Sequence, residues 1–574
     1  MSAREGVRAT AREGGSVDVA GAVIDHLDLW TGAVTKKSSS GRGSNGKVEL
    51  TGINKLRELI LELAVRGKLV EQDSSEEPAC KLLERIAREK KLSGKKSKKL
   101  PPLSDDEKPF DVPLGWEATR YGEIVAVTTG KLDANAADEN GQYPFFTCSR
   151  TPSAIDTYAF DCEAVLLAGN GDFNLKYYKG KFNAYQRTYV IEPIQISLKF
   201  LYYLTVSQIE RITENNRGSA IRYLKLNDIL MPFVYLPPVE EQHRIVQKVD
   251  ELMALCDRLE QQTSDQLEAH ETLVDTLLGT LTQSENATEL ADNWARLAAH
   301  FDTLFTTEQS IDKLKQAILQ LAVMGRLVEQ EAADEPAVEV IKRAQERKSQ
   351  LLSEKLIKKQ KELPDITEPE KPFSTPPLWA YARLDDICTE VTSGSTPPKS
   401  EFSEAFGIPY LKVYNIRSQR VDFDYKPQYV TENYHRTTLK RSQLLPGDVV
   451  MNIVGPPLGK TAIIPDDHPE WNCNQAIVRF RPIEIELNQF IHLYLKAGIF
   501  LKTIELIGTA GQDNISVTKS RSIVIPLPPK AEQQRIVQKV DELMALCDQL
   551  KERLNQACKT RCQLAEAVVE NALN

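Results

Sequence analysis

Apolar side chains recur at alternating four- and three-residue intervals in two long stretches of the chain. In the second stretch the apolar positions are Ile536, Val540, Leu543, Cys547, Leu550 and Leu554. Side chains with this spacing lie along one side of an α-helix, and the 4-3 rhythm is typical of helices that pack together as a coiled coil. A plain amphipathic helix packed on its own domain is the alternative interpretation of the pattern.

The same helical stretch occurs twice. Residues 244–257 and 535–548 both read RIVQKVDELMALCD, and the two copies lie 291 residues apart in a chain of 574. Each copy follows a Pro-Pro pair and a Glu-Gln step, which are Pro237-Pro238 with Glu241-Gln242 and Pro528-Pro529 with Glu532-Gln533. An identical stretch repeated at about half the chain length indicates two similar halves.

A second repeated passage supports this division. Leu63-Ala64-Val65, Gly67 and Leu69-Val70-Glu71-Gln72 recur as Leu321-Ala322-Val323, Gly325 and Leu327-Val328-Glu329-Gln330. The apolar spacing before Gly67 predicts a helix from about residue 53, which Gly67 interrupts and which continues to about residue 91. Each half therefore has a helical region, a linker, a variable middle region, a Pro-Pro pair and a long helix.

The two middle regions differ almost wholly in sequence, and both have the pattern of α/β domains. Short runs rich in β-branched and aromatic residues, bounded by Gly, Asn and Pro, predict strands. These runs are 124–129, 164–168, 188–191 and 233–236 in the first middle region, and 387–392, 410–413, 449–454, 476–480 and 523–527 in the second. Each middle region also has one apolar helical stretch, at 200–204 and 490–499.

Composition is that of an ordinary globular protein, with 41% apolar and 27% charged residues. The net charge of −9 at first argues against a nucleic-acid partner. However, residues 118–238 carry 12 basic and 12 acidic side chains and residues 380–529 carry 16 of each, so both middle regions are locally neutral. Local basic patches decide phosphate binding, so the total charge neither indicates nor excludes DNA.

Motifs for targeting and for catalysis are sparse. The sequence has no run of 18 apolar residues and no apolar signal core, and its nine cysteines show no disulfide spacing, so a cytoplasmic location is expected. The passage from Gly455 to Thr461 is one residue short of a phosphate-binding loop, and Pro465 and Pro469 oppose the helix that such a loop requires. Cys558 and Cys562 have no second ligand pair, so no metal site is expected. These features disfavour an enzyme that acts alone.

Polar, glycine-rich segments in both middle regions remain to be explained. They are 170–181, 185–187 and 217–223 in the first region, and 414–420, 472–475 and 508–514 in the second. Asn, Gln, Arg and Lys side chains on such loops can contact base edges and phosphates of DNA. Ordinary polar turns are the alternative explanation for any one of these residues.

The chain resembles the specificity subunits of type I restriction-modification systems over roughly residues 17–574. The resemblance rests on the two Pro-Pro-x-x-Glu-Gln-x-Arg-Ile-Val passages and the two Leu-Ala-Val-x-Gly passages. It also rests on Thr392-Ser393-Gly394-Ser395-Thr396-Pro397, Gly447-Asp448-Val449-Val450, Gly459-Lys460 and Asn474-Gln475. The first middle region departs from the pattern, because Thr129-Gly130-Lys131-Leu132-Asp133 replaces the Gly-x-Thr-Pro loop.

The resemblance implies an α+β fold in which two α/β target recognition domains are separated by long antiparallel coiled-coil helices, with an internal pseudo-two-fold repeat. It implies a non-catalytic subunit that binds an asymmetric, bipartite site on double-stranded DNA. Two modification (methyltransferase) subunits and the restriction (motor-nuclease) subunits would dock on it, so that adenine methylation or cleavage follows that site. S-adenosylmethionine, ATP and Mg²⁺ are expected on those partner subunits, and no cofactor, metal or membrane contact is expected on this chain.

Eight residues are the predicted DNA contacts: Lys176, Lys179, Arg187 and Arg222 in the first domain, and Arg417, Gln475, Gln512 and Asn514 in the second. The predicted segments are a flexible N-terminal region with a short helix (1–50), helical region (51–107), recognition domain (108–238), spacer helix (239–281), connector with second helical region (282–370), recognition domain (371–529) and spacer helix (530–574). Two alternatives stay open: a coiled-coil scaffold whose variable domains bind protein, and a fused enzyme.

Overall fold

Both copies of the repeated fourteen residues lie in single, unbroken helices in the computed structural model of the protein. The first helix has 45 residues and the second has 44. The structure describes residues 26–36, 48–92, 100–104, 107, 113–214, 216, 222–285, 287–403, 405–504, 506–509 and 512–573. Most of the predicted N-terminal segment, residues 1–50, lies outside the described residues.

The helices follow the apolar spacing of the sequence, with short helices between the strands. In chain order they are α1 Leu27–Gly32, α2 Thr51–Val65, α3 Ala79–Leu92, α4 Tyr121–Ile124, α5 Leu198–Ser207, α6 Ile209–Thr213, α7 Leu226–Leu230, α8 Val239–Gln283, α9 Ala287–Ala299, α10 Phe301–Leu304, α11 Glu308–Val323, α12 Ala337–Ser353, α13 Leu384–Ile387, α14 Glu432–Arg436, α15 Leu487–Ala497, α16 Val517–Arg521 and α17 Lys530–Leu573.

The strands fall mainly in the two middle regions. They are β1 Thr35–Lys36, β2 Val48–Glu49, β3 Glu117–Arg120, β4 Val125–Thr129, β5 Tyr143–Phe146, β6 Ser153–Ile155, β7 Phe160–Ala168, β8 Leu175–Ala184, β9 Thr188–Pro193, β10 Phe233–Leu236, β11 Ala380–Arg383, β12 Cys388–Ser393, β13 Phe402–Ser403, β14 Ile408–Leu411, β15 Ile416–Arg417, β16 Arg420–Val421, β17 Tyr429–Val430, β18 Gln443–Leu444, β19 Val449–Asn452, β20 Thr461–Ile463, β21 Trp471–Cys473, β22 Ile477–Pro482, β23 Ile507–Thr509, β24 Gln512–Asn514 and β25 Val524–Leu527.

The chain forms two compact units, and each long helix is divided between them. The first unit comprises Met1–Glu268 with Gln556–Asn574, and the second comprises Ala269–Asn555. In the first unit Ile245 and Val249 of α8 and Ala565 of α17 are buried in one core. In the second unit Val274 of α8 and Cys547 of α17 are buried in another. Each unit therefore contains the start of one long helix and the end of the other.

The repeated Pro-Pro-x-x-Glu-Gln passage anchors the start of each long helix on its own unit. The Gln242 amide donates a 3.0 Å hydrogen bond to the Pro237 carbonyl, and Gln533 donates one of 2.9 Å to the Pro528 carbonyl. These bonds satisfy carbonyls that the helix backbone cannot reach. The motif is therefore explained by its role in fixing the helix against the strand that precedes it.

The sheet of the first middle region has the order β4-β9-β7-β8-β5-β6. Strands β4, β9, β7 and the first part of β8 pair antiparallel, and the end of β8 pairs parallel with β5. The second middle region repeats this order in two pieces. Its sheet β12-β22-β19-β20 is antiparallel throughout, and β21 pairs parallel with β14 in a separate five-stranded sheet. The two middle regions therefore share a strand plan despite their different sequences.

Several of the segments predicted as polar loops contain strands in the structure. Residues 175–184 form strand β8, although the sequence placed 175–181 within a glycine-rich loop, and the first eight residues of β8 pair with β7. Lys176 and Lys179 therefore lie on a strand, and so do Arg417 on β15 and Gln512 and Asn514 on β24. Pairing with β7 outweighs the local loop preference of the Lys- and Gly-rich sequence.

Candidate nucleic-acid interface

Four segments of the first unit meet at the end of strand β7, and we call residues 147–150, 169–174, 185–187 and 222–224 the first loop cluster. Backbone hydrogen bonds hold it together. The Gly169 amide donates to the Arg187 carbonyl (2.8 Å), the Gly171 amide to the Arg222 carbonyl (3.1 Å), and the Leu224 amide to the Gly169 carbonyl (2.9 Å). Arg187 and Arg222 are thus fixed at neighbouring positions by main-chain atoms, and both side chains are exposed.

Lys176 lies beside this cluster at the start of β8. Its ammonium group donates to the side-chain oxygen of Asn174, and burial lowers the pKa of Lys176. The Asn174 amide in turn donates to the Cys148 carbonyl (2.8 Å) and to Asp172 (2.6 Å). A network of this kind holds the Lys176 side chain in one orientation.

Lys179 lies elsewhere on the strand. It is three residues beyond Lys176, about 10 Å along an extended chain, and its ammonium group lies 2.6 Å from the Glu163 carboxylate on β7. The structure therefore brings together three of the four predicted residues of the first domain, Lys176, Arg187 and Arg222. Lys179 is instead paired across the sheet.

The corresponding segments of the second unit meet at the end of β19. We call residues 453–460, 474–476 and 512–515 the second loop cluster. The Ile453 amide donates to the Ala476 carbonyl (2.8 Å), the Gly455 amide to the Asp513 carbonyl (3.1 Å), and the Ile515 amide to the Ile453 carbonyl (2.9 Å). These three bonds match those of the first loop cluster one for one.

Three of the four predicted residues of the second domain belong to this cluster. Gln475 is exposed between β21 and β22. Asn514 pairs with Val454 in an isolated bridge, and its side-chain oxygen is buried without a hydrogen-bond donor. Gln512 lies two residues before Asn514 on the same strand.

Arg417 lies on a separate two-stranded hairpin, β15-β16, that is tied to the cluster. The Gln419 side chain at the turn accepts a 2.7 Å hydrogen bond from the Thr461 amide, which begins the strand after the loop. The Arg417 guanidinium stacks 4.2 Å from the centre of the Tyr425 ring and lies 3.3 Å from Asp422. Stacking holds a guanidinium in place while it leaves the outward donors available.

The matched backbones carry different side chains. Arg187 occupies the place of Ala476, and Arg222 occupies the place of Asp513, as judged by the equivalent hydrogen bonds. The first loop cluster is therefore the more basic at these two positions. Two surfaces with one backbone frame and unlike side chains are suited to bind two different ligands of the same class.

Two further residues of the first loop cluster were not among the eight predicted DNA contacts. Arg150 is 84% exposed and lies 2.9 Å from Asp172, and Tyr223, next to Arg222, is 38% exposed. Arg150 belongs to no sequence motif, whereas Tyr223 ends the predicted polar segment 217–223, and the convergence of four separate loops places both with the other residues. Arg150 adds a cation, and Tyr223 adds an aromatic ring on which a base can stack.

The part of the chain that the structure describes lacks the features of other kinds of site. It contains no group of three His, Cys, Asp or Glu side chains arranged to hold a metal ion. None of its helices combines the length and the apolar character that crossing a bilayer requires. Strand β20, not a helix, follows the Gly455–Lys460 loop, so this loop does not lead into the helix N-terminus that a phosphate-binding loop requires.

Comparison with known proteins gives a consistent result. The family model described as the type I restriction modification DNA specificity domain matches residues 113–269 and 376–560. The specificity subunit of the Escherichia coli type I restriction enzyme EcoAI is 36% identical, covering 96% of this chain and 99% of that protein. The Escherichia coli EcoEI specificity subunit is 37% identical, with the same coverage of both chains.

A solved structure described as the structural basis of complex assembly and conformational transition of the type I R-M system contains a similar chain. The alignment covers 81% of the present chain and 99% of the solved chain. The sequence identity is 18% and the TM-score is 0.47.

Proposed function

Because the chain belongs to the specificity subunits of type I restriction-modification systems, which recognise DNA sequence, we propose that it reads an asymmetric, bipartite DNA site through its two loop clusters. The observation that carries the proposal is the matched backbone at Gly169–Gly171 and Ile453–Gly455, which presents unlike side chains. The same backbone arrangement, present once in each unit, gives two DNA-binding surfaces of the same kind. Different side chains on the frame give two different half-sites, so the full site is not a palindrome.

The proposed contacts are the predicted ones, with Arg150 added. Arg187 and Arg222 carry donors that can bond to guanine or phosphate, and Gln475 and Gln512 carry amides that suit adenine. The Asn514 side-chain oxygen is buried, so Asn514 is proposed to contact DNA through its amide N–H groups. Arg417 is held by Tyr425 with its guanidinium exposed for the same purpose. Lys179 remains a proposed contact, one that must exchange its ion pair with Glu163 for a phosphate.

The long helices are the proposed spacer between the readers, packed together as an antiparallel coiled coil on a pseudo-two-fold axis. A helix of 45 residues is roughly 67 Å long. One turn of duplex DNA is roughly 34 Å, so helices of this length are sufficient to separate two readers by about one turn. The division of both helices between the two units supports this arrangement.

The same repeats are the proposed docking sites for two copies of a modification subunit. Arg244 pairs with Glu76 in the first unit, and Arg535 pairs with Asp334 at 2.6 Å in the second. Near-identical helices with equivalent side-chain contacts present equivalent surfaces, so one kind of partner binds twice. Restriction subunits complete the proposed complex. S-adenosylmethionine, ATP and Mg²⁺ are assigned to the partners, and the chain itself has no proposed catalytic step.

The proposal is tested with the complex of this chain and its modification subunits. Adenine methylation is mapped on DNA with randomised sequence, and a bipartite, asymmetric motif with a fixed gap is expected. The Arg417→Ala variant is expected to relax one half-site only, and an equal loss on all sequences would make Arg417 a phosphate contact. DNA binding that is absent, or insensitive to salt, would favour the protein-binding scaffold instead.

A further inference from the structure

A further equivalence between the units lies next to the loop clusters, at the parallel strand pairs. In the first unit Phe146 of β5 pairs with Ala184 of β8, and in the second unit Leu411 of β14 pairs with Cys473 of β21. The residue that follows Ala184 or Cys473 donates a backbone hydrogen bond to the opposite strand in the same way in both units. The Tyr185 amide donates to the Phe146 carbonyl (2.9 Å), and the Asn474 amide donates to the Leu411 carbonyl (3.1 Å).

The residue before this pair is a buried asparagine in both units. The Asn183 side-chain oxygen accepts from the Ala184 amide at 3.0 Å, and the Asn472 side-chain oxygen accepts from the Cys473 amide at 2.9 Å. Both asparagines are less than 5% exposed. The same bond at the same place fixes the turn that follows each strand.

The turn then closes in the same manner. The Thr188 amide donates to the Tyr185 carbonyl at 2.8 Å, and the Ile477 amide donates to the Asn474 carbonyl at 3.1 Å. A glycine packs against each turn. A Cβ at Gly130 would lie 1.8 Å from the Ala184 carbonyl oxygen, and a Cβ at Gly394 would lie 2.2 Å from the equivalent Cys473 carbonyl oxygen. Gly130 therefore occupies the place of Gly394, although its surrounding sequence does not fit the Gly-x-Thr-Pro pattern.

These contacts align Asn183-Ala184-Tyr185-Gln186 with Asn472-Cys473-Asn474-Gln475. Resting on the proposed function, we propose that Gln186 reads a base in the half-site bound by the first unit, at the position equivalent to that of Gln475. Gln186 is exposed. Its amide donates one 3.3 Å hydrogen bond, to Asp133, which orients the side chain and is long enough to be exchanged for a DNA contact.

The chemistry of the amide indicates which base is read. A glutamine offers one donor and one acceptor side by side, and the major-groove edge of adenine offers the complementary N7 acceptor and N6 donor. The arginines of the first loop cluster and the neighbouring Lys176 have no acceptor, so they cannot make this pair of bonds. Gln186 is therefore assigned to an A·T pair.

The test compares the unchanged chain with Gln186→Ala and Gln475→Ala, each assembled with the modification subunits and offered sites randomised in both halves. The Gln186→Ala variant is expected to lose a preference for adenine of roughly 5- to 150-fold at one position of one half-site. The Gln475→Ala variant is expected to relax one position of the other half-site. The Gln186 amide N–H bonds to the Leu132 carbonyl through the main chain, so the alanine variant retains the turn.

Asn140→Ala is the matched control, because Asn140 is an exposed amide residue in the turn before β5, at the opposite end of that strand from Phe146. It is expected to leave both half-sites unchanged. An unchanged motif in Gln186→Ala would overturn the assignment, and so would a uniform loss on all sequences, which indicates a phosphate contact. If the unchanged chain itself selected no bipartite motif, the proposed function would fail instead, so the two failures are distinguishable.

Discussion

The indole of Trp116 donates a 2.9 Å hydrogen bond to the carboxylate of Glu241, and both side chains are buried. Burial raises the pKa of Glu241 to about 7 from 4.5. A carboxyl whose folded pKa is raised contributes stability that is fully present below its unfolded pKa and is lost as the pH rises through the folded value. The first unit should therefore lose stability between about pH 4.5 and 7 through this group.

The Glu241→Gln variant removes this titration and retains an acceptor for Trp116. Its stability relative to the unchanged chain is expected to rise from pH 5 to pH 8, as measured by hydrogen exchange of the first-turn amides of α8 in the full chain. Glu240→Gln is the matched control, because Glu240 is exposed one residue away. The same pH dependence in both variants would show that the effect does not come from the buried carboxyl.

Gly130 and Gly394 form a pair of positions that should affect one half-site each. An alanine Cβ would overlap the backbone of the neighbouring turn in either unit, so the turn that carries Gln186 or Gln475 has to move. We expect Gly130→Ala to reduce methylation that depends on the first unit's half-site and Gly394→Ala to reduce that of the second, each by roughly tenfold or more, because recognition depends on placement to within about 1 Å.

Gly279→Ala is the control for this pair, because the Cβ meets no atom within 4 Å there and the residue lies inside α8. It is expected to stabilise the chain by roughly 0.5–1 kcal/mol and to leave both half-sites unchanged. If Gly130→Ala relaxed both half-sites equally, the correspondence of one turn with one half-site would be wrong.

The sequence predicted the helical flanks well because their pattern is local. Ile536, Val540 and Cys547 are all buried, as the 4-3 rhythm requires. The loop clusters were only partly predicted, because their geometry comes from backbone hydrogen bonds between residues that are distant in sequence, such as Gly169 and Arg187. Backbone hydrogen bonds of this kind do not require particular side chains, so the sequence does not reveal them. Strand β8 was missed for a related reason, since its partner β7 decides its conformation and exposed lysines obscure its alternation.

Arg383, the last residue of β11, is a predicted stability determinant of the second unit. Arg383 is 3% exposed and donates to both Glu370 oxygens (3.0 and 3.2 Å) and to the Ser522 carbonyl (2.9 Å). Its hydrogen bonds lower the pKa of Glu370 to about 2. The stability that Glu370 contributes is therefore present above about pH 4.5 and lost as the pH falls through about 2.

Arg383→Lys keeps the charge and loses the bidentate geometry, so it is expected to lower the unfolding free energy of the second unit by roughly 1–3 kcal/mol in urea. Arg436→Lys, at an exposed pair with Glu432, is the control and is expected to change it by less than about 0.5 kcal/mol. Equal effects of the two substitutions would show that burial of Arg383 is not what matters.

Helix length is predicted to set the gap between the half-sites. Removing residues 262–268 from α8 together with the equivalent residues 553–559 from α17 shortens each helix by one heptad, roughly 10 Å. The gap in the methylated motif is expected to shrink by about three base pairs, because DNA rises 3.4 Å per base pair. The half-site sequences serve as an internal control, since both recognition regions are untouched, and an unchanged gap would contradict the spacer proposal.

Charge at the matched positions Arg187 and Ala476 should decide the salt dependence of DNA binding. The Arg187 and Ala476 carbonyls accept equivalent hydrogen bonds of 2.8 Å. Side chains at these two residues therefore leave the backbone at equivalent positions of the two loop clusters. Ala476→Arg is expected to steepen the slope of log affinity against log salt by about 0.9, the value for one more phosphate neutralised, and Arg187→Ala to reduce it by the same amount. Ala476→Gln adds a long polar side chain without charge and should leave the slope unchanged. If Ala476→Gln altered the slope as much as Ala476→Arg did, the effect would come from the size of the new side chain and not from its charge. The two loop clusters would then not present their side chains to the duplex in the same way.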